Sequence, residues 1–184
     1  MKFKYVSGRR SLDFAGTLKF RSSLEPEELL TRPQRLSDWA IQAGFMDAAT
    51  EISDEELAAA VALREAIYRI VIARIEGRRL KAADVDLVNE HASQPRLAPG
   101  LRPNGSVTRE GTAPQLLATL AADLLDMVAG PDIEKVKGCS HEGCTRLYID
   151  TSRAQNRHWC GMSTCGNKAK VAAFRARQRA TASS

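Results

Sequence analysis

Cys139-Ser140-His141-Glu142-Gly143-Cys144 and, after a spacer of 15 residues, Cys160-Gly161-Met162-Ser163-Thr164-Cys165 carry all four cysteines of this 184-residue chain. A disulfide framework would spread its cysteines over the fold, whereas two close pairs brought together make a metal site. Each short pair forms one chelating loop, and the spacer is long enough to fold back as a hairpin. Four thiolates at ~2.3 Å around Zn²⁺ give a closed tetrahedron with no open position for water. The reading is therefore a structural zinc held by Cys139, Cys144, Cys160 and Cys165. Such a site folds a protein and does not catalyse.

Working outward, Gly138 and Gly143 allow the tight backbone of the first loop. Residues 146–149 read as a strand, with residues 156–160 returning as its partner. Cys165 then falls in the first turn of a helix over residues 164–179, where a thiolate gains from the positive helix end. Two loops, a hairpin and a ligand-bearing helix describe a treble-clef-like four-cysteine finger over residues 138–180. His141 and His158 are rival ligands by residue type, but four cysteines already complete the tetrahedron, so both read as neighbours of the site. Val171 and Phe174 share a helix face expected to pack on Trp159, Tyr148 or Leu147. The other faces carry Lys168, Lys170, Arg175, Arg177 and Arg179, and Arg153 and Arg157 sit at the hairpin tip.

The net charge of +5 is unevenly distributed. Residues 137–184 hold nine Lys/Arg against two Asp/Glu, so they carry +7 and the rest of the chain −2. Four thiolates and one Zn²⁺ would together contribute about −2, which leaves the module near +5. A basic patch this dense most often meets phosphate. Arg153, Arg157, Lys168, Lys170, Arg175, Arg177 and Arg179 are accordingly the candidate nucleic-acid contacts. Their helix suits the major groove of duplex DNA, with long cations on phosphates and one on a base edge.

The remaining chain is mainly helical with a small β component. The entry residues 1–23 read as short extended or mixed structure. Helices are expected over residues 26–30 and 33–43, the latter ended by Gly44. Ser53-Asp54-Glu55-Glu56 is a capping box that opens a helix running to residue 76, where Gly77 stops it. Its apolar residues cover more than one face, which marks it as the central buried helix. Another helix is expected over residues 83–92. Asn104-Gly105 predicts a β-hairpin, and Thr112 with Pro114 opens a helix that ends at Gly130-Pro131. The division that follows is a helical domain over residues 1–130, a linker over 131–137 and the finger over 138–180. No stretch resembles a signal peptide and no uncharged apolar run approaches the ~20 residues of a membrane helix. A soluble cytoplasmic protein with reduced thiols and no membrane partner is expected.

The run Cys139-Ser-His-Glu-Gly-Cys144-Thr-Arg-Leu-Tyr-Ile-Asp150-Thr-Ser152-Arg153, followed by Arg157-His-Trp159-Cys160-Gly-Met162-Ser-Thr-Cys165-Gly166-Asn167-Lys168-Ala-Lys170, closely resembles the CGNR zinc finger. Leu12-Asp13-Phe14-Ala15-Gly16-Thr17-Leu18 resembles the opening motif of the helical ABATE domain that precedes this finger in bacterial stress-induced transcriptional regulators. The resemblance spans nearly the whole chain. It implies zinc on the four cysteines and DNA binding by the finger. Two positions depart from the family pattern. Lys168 stands where the named Arg would be, keeping the charge without the planar fork. Gly16 stands where the family usually has Asn, so no polar role of that side chain carries over.

The function expected is a zinc-dependent, DNA-binding transcriptional regulator whose N-terminal domain senses an effector or assembles a homodimer. The alternative is an RNA-binding or protein-interaction finger. Asp13, Arg10, Arg64 and Tyr68 are candidates for a shared small-molecule pocket, but their spacing has no catalytic logic. No nucleophile triad, phosphate loop or open metal site appears, so no enzymatic activity is expected.

Overall fold

The computed structural model describes the backbone of residues 2–182, and the side chains of all of these except 173, 176, 177 and 179–182. Arg177 and Arg179, two of the expected cationic contacts, thus have side chains outside the described residues.

Six helices and three two-stranded antiparallel ribbons make up the described chain. The first helix, α1 (Arg10–Ala15), is short but buries Leu12, Asp13, Phe14 and Ala15. Strands β1 (Leu18–Lys19) and β2 (Glu27–Glu28) pair next to it. Residues 26–30, expected to be helical, are thus extended. The pleat sends Glu27 to Lys19 at 2.9 Å and Glu28 to buried Arg64 at 2.7 and 2.8 Å, on opposite faces of the ribbon. Helix α2 (Pro33–Gln42) starts on its proline and is followed by Gly44 at φ +74°.

Helix α3 (Asp54–Ile75) opens on the Ser53–Glu56 capping box with both reciprocal hydrogen bonds formed, and Gly77 takes φ +63° beyond its end. It is the central helix: α1, α2, α4 (Ala82–Ala92) and α5 (Ala113–Ala129) all pack on it. β3 (Gly100–Leu101) and β4 (Val107–Thr108) form the hairpin that Asn104-Gly105 predicts. Thr112 and Gln115 form a second capping box at the start of α5.

Residues 131–137 hold a 3₁₀ turn (Ile133–Lys135) and the beginning of β5 (Val136–Gly138). This strand pairs with β6 (Leu147–Ile149), in register Val136 to Ile149 and Gly138 to Leu147. The hairpin of the finger is therefore not the one expected. β6 pairs with the strand before the first cysteine, and residues 156–159 form no strand. Burial explains the choice, because Ile133, Val136, Leu147 and Ile149 enter the same apolar core as Leu12, Phe14 and the central helix. The Ile149 amide also donates to Ser7 O at 2.8 Å, tying β6 to the entry segment. After Cys160, a π-type turn (Met162–Gly166) leads into α6 (Asn167–Ala182).

A candidate metal centre keyed into the helical domain

Local hydrogen bonds shape both chelating loops. The Cys139 amide donates to Arg146 O at 3.0 Å and the Cys144 amide to His141 O at 2.9 Å, which curls the first loop at Gly143, φ +73°. Ser140 N donates to His158 O at 2.8 Å and so brings the returning segment beside that loop. In the second loop the Gly166 amide reaches Gly161 O at 3.0 Å, the wide turn that places Cys165 just before α6. Gly166 is packed tightly, since a Cβ there would lie 2.8 Å from Met162 Sδ.

These loops set the four Sγ atoms within 4.8 Å of one another. A tetrahedron with Zn–S of ~2.3 Å has sulfur–sulfur edges of ~3.8 Å, and Cys160 and Cys165 already stand at 3.6 Å. None of the four is in a disulfide. The donor set is soft, closed and complete, which fits zinc, and the four cysteines are positioned to bind one metal ion. Cys160 is buried, and its amide donates to Cys139 Sγ at 3.4 Å, an orienting bond for a thiolate. Hydrogen bonding from Cys144, aided by Cys165 and Cys139 against the effect of burial, pulls the Cys160 thiol down to about 5. Cys144 is pushed up by sharing its proton with Cys160 and by burial, and Cys165 is pushed up to about 11, burial first and the Cys160 neighbour second. Without a cation the cluster cannot hold four thiolates; zinc supplies that charge and releases the protons on binding.

His158 is exposed with its ring edge toward Trp159 at 5.9 Å, and the Nδ1 of His141 lies 2.9 Å from Glu142 O. Neither belongs to the sulfur cluster. Lys168 is exposed and, with Lys4 and Lys19, lines a cavity of ≈ 260 Å³ that also touches Cys144, Cys160 and Cys165. Lys19 is paired with Glu27 on the same wall, so Lys4 and Lys168 are the cations that add positive charge beside a zinc–tetrathiolate cluster.

Two arginines seat this centre. Arg146 is only 8 % exposed and reaches across to Lys4 O at 3.2 Å, Ser7 Oγ at 3.3 Å and Gly16 O at 3.1 Å. Its guanidinium lies 3.6 Å from Asp13, whose Oδ1 accepts the Val6 and Ser7 amides at 2.9 and 3.0 Å. Burial raises the Asp13 carboxyl above its ordinary value, opposed by those bonds and by Arg146. A Cβ on Gly16 would lie 2.4 Å from Arg146 Nη1, so the missing side chain is what lets the guanidinium in. No signal in the sequence alone pairs Gly16 with Arg146, 130 residues apart.

Arg157 was expected on the nucleic-acid surface, but its guanidinium is committed elsewhere. It donates to Trp159 O at 2.7 Å, to Val6 O at 3.4 Å and to Cys160 O, and lies 4.4 Å over the Tyr148 ring. Those contacts hold the chain in front of Cys160, a positioning role. Asp150 supports the same turn: it accepts from Lys137 Nζ at 2.8 Å, from the Ser152 hydroxyl and amide, and from the Arg157 amide. The Lys137 contact, with the Ser152 bonds, holds its carboxyl well below the usual range. Arg153, Lys168, Lys170 and Arg175 are exposed. Val171 and Phe174 are 48 % and 54 % exposed, so the face expected to pack on Trp159, Tyr148 or Leu147 is not buried.

Comparison with known families matches residues 8–131 to the ABATE domain, described as "Putative stress-induced transcription regulator", which covers more than half the chain. The chain belongs to the ABATE family. Residues 135–178 match the CGNR zinc finger. This ABATE protein therefore carries its metal site in the finger that its four cysteines define. No curated protein matches it. Among the described residues no helix is long and apolar enough to cross a membrane.

Proposed function

We propose that this ABATE protein is a zinc-dependent, DNA-binding transcriptional regulator without enzymatic activity, acting in the cytoplasm. The helical domain of residues 1–130 senses an effector or joins a second copy, and the finger of residues 138–180 contacts duplex DNA. The observation that carries the reading is the segregation of charge onto the C-terminal part, +7 over residues 137–184, with Arg153 exposed between the two cysteine pairs and Lys168 and Lys170 exposed at the start of α6. These cations suit phosphate, and Lys168 offers a point charge rather than a bidentate fork. Arg157 is left out because its guanidinium already serves backbone carbonyls.

Fluorescence anisotropy of labelled duplex DNA with zinc-loaded protein tests this. With about four phosphates neutralised, affinity should fall ~100-fold between 50 and 200 mM salt. Lys170→Ala should lower the salt slope by about 0.9 without changing sequence preference. Absence of binding at low salt contradicts the proposal. The exposed Val171 and Phe174 favour one second reading, a protein partner on α6. A stable partner recovered with nuclease-treated protein, together with no affinity for duplex, supports that reading instead.

A further inference from the structure

The cysteines do not meet solvent equally. The cavity of ≈ 260 Å³ between the helical domain and the finger is walled by Cys144, Cys160 and Cys165, while Cys139 takes no part in it. Cys139 Sγ instead accepts the Cys160 amide at 3.4 Å, a bond that blunts a thiolate as a nucleophile. Cys144 belongs to a loop that is tied down, since its own amide binds His141 O and the adjacent Thr145 hydroxyl accepts the Arg21 amide at 3.2 Å. Cys160 and Cys165 share the other loop, five residues apart, with their sulfurs 3.6 Å from each other. Cys160 is 3 % exposed and Cys165 is half-buried, so of this pair Cys165 is the sulfur that an entering molecule meets first. Lys168, three residues beyond Cys165, lines the same cavity and has no hydrogen bond or ion pair among the described residues.

We propose that Cys165 and Cys160 form an oxidation site for hydrogen peroxide, Cys165 reacting first and Cys160 resolving it to a disulfide. The Cys165 thiolate attacks one peroxide oxygen; an S–O bond forms, the O–O bond breaks and hydroxide leaves, giving a sulfenic acid. The Cys160 thiolate then attacks that sulfur; the S–S bond forms, the S–O bond breaks and a second hydroxide leaves. Two thiolates thus lose two electrons and the peroxide is reduced to two hydroxides, which take protons from solvent. The Lys168 ammonium on the cavity wall favours the departing hydroxide as a point charge. The sulfurs close from 3.6 Å to about 2.05 Å, a movement within one loop. The joined pair no longer supplies two thiolate ligands, and Cys139 and Cys144 alone make half a tetrahedron. Oxidation therefore releases the second loop and the start of α6 from the metal, while Val136 and Ile149 stay in the helical core. Its consequence for DNA rests on the function proposed above, because Lys168 and Lys170 lose their fixed place; the thiol chemistry does not rest on it.

The test treats zinc-loaded full-length protein with hydrogen peroxide and follows released zinc with a chromogenic chelator. Remaining thiols are then alkylated and the chain is cut with trypsin. Residues 158–168 form one tryptic peptide with Cys160 and Cys165, and residues 138–146 another with Cys139 and Cys144. Release should reach about one zinc per chain. Peptide 158–168 should be unalkylated and lighter by two hydrogens, leaving aside any oxygen gained by exposed Met162, and peptide 138–146 should be alkylated at both cysteines. A sulfenic-acid trap added with the peroxide should mark Cys165 and not Cys160. A thiol reductant with fresh zinc should restore the starting protein. Lys168→Ala should slow release roughly threefold to fivefold at unchanged zinc content, and Lys168→Arg, which keeps the charge, should not. Zinc retained under peroxide overturns the proposal. So does a disulfide that includes Cys139 or Cys144, a trap on Cys160, oxidation to sulfonic acid without a disulfide, or an unchanged rate in Lys168→Ala. DNA affinity is not read, so such a failure leaves the proposed DNA contact untouched.

Discussion

Chelating the zinc should strip amide protection from the two metal loops and from the start of α6 while leaving the β5–β6 ribbon and the helical core protected. Zinc binding is worth ~10–16 kcal/mol in small fingers, far more than two short loops gain from their own contacts. The bonds that depend on it are Ser140 to His158, Cys160 to Cys139 Sγ, and Gly166 to Gly161. Val136, Leu147 and Ile149 belong to the helical core, so their ribbon does not depend on the metal. A finger standing alone would unfold from residue 138 onward; this one should unfold from residue 139 to 146 and from about 152 onward. Hydrogen exchange of zinc-loaded and chelated protein reads the difference residue by residue. Protection persisting at Cys160 and Gly166 after chelation contradicts this account, and so does loss of protection throughout α3.

Arg64→Ala should destabilise the protein by about 3 kcal/mol and lower Tm by roughly 6–12 °C. Arg64 is 1 % exposed, yet it is charged and sits on the central helix. Its guanidinium forks onto Glu28 at 2.7 and 2.8 Å, reaches Glu65 at 2.8 Å and meets Thr17 Oγ1 at 3.3 Å. Glu65 is shared with Arg21, whose amide donates to Thr145 Oγ1 in the segment after Cys144. Removing Arg64 strips Glu28 of its fork, leaves Glu65 to Arg21 alone and opens a cavity beside them. Both carboxylates are a quarter to a third exposed, so solvent screens part of the penalty and the lower end of the usual range applies. Arg64→Met, which refills the volume without the charge, should recover less than half of the loss. Thermal melts of the two variants check this, and a change under 1 kcal/mol in Arg64→Ala would show that the network carries no stability.

Both results bear on what the sequence can disclose. Ser53 with Glu56, Thr112 with Pro114, and the glycines after α2 and α3 are local signals, and each sits where its pattern predicts. The cysteine spacing is equally local within each loop, and the four sulfurs converge as expected. The pairing of β6 is different. Three residues carry too little pattern to choose a partner, and burial of Val136 and Ile149 against a distant core decides it. The same holds for residues 26–30, where Arg64 claims Glu28 from far along the chain. Of the pocket candidates, Asp13 and Arg10 do share a cavity wall. Arg64 turns instead to Glu28, and Tyr68 lies against Arg21 at 4.0 Å.

The central claim is that four thiolates and nothing else hold one zinc at the base of the basic helix. X-ray absorption at the zinc edge of the purified protein measures this directly. The account predicts one zinc per chain with four sulfur neighbours at ~2.3 Å and no nitrogen or oxygen in the coordination sphere. A shell with a histidine nitrogen or a water oxygen, or a chain that folds fully with no metal, would contradict it.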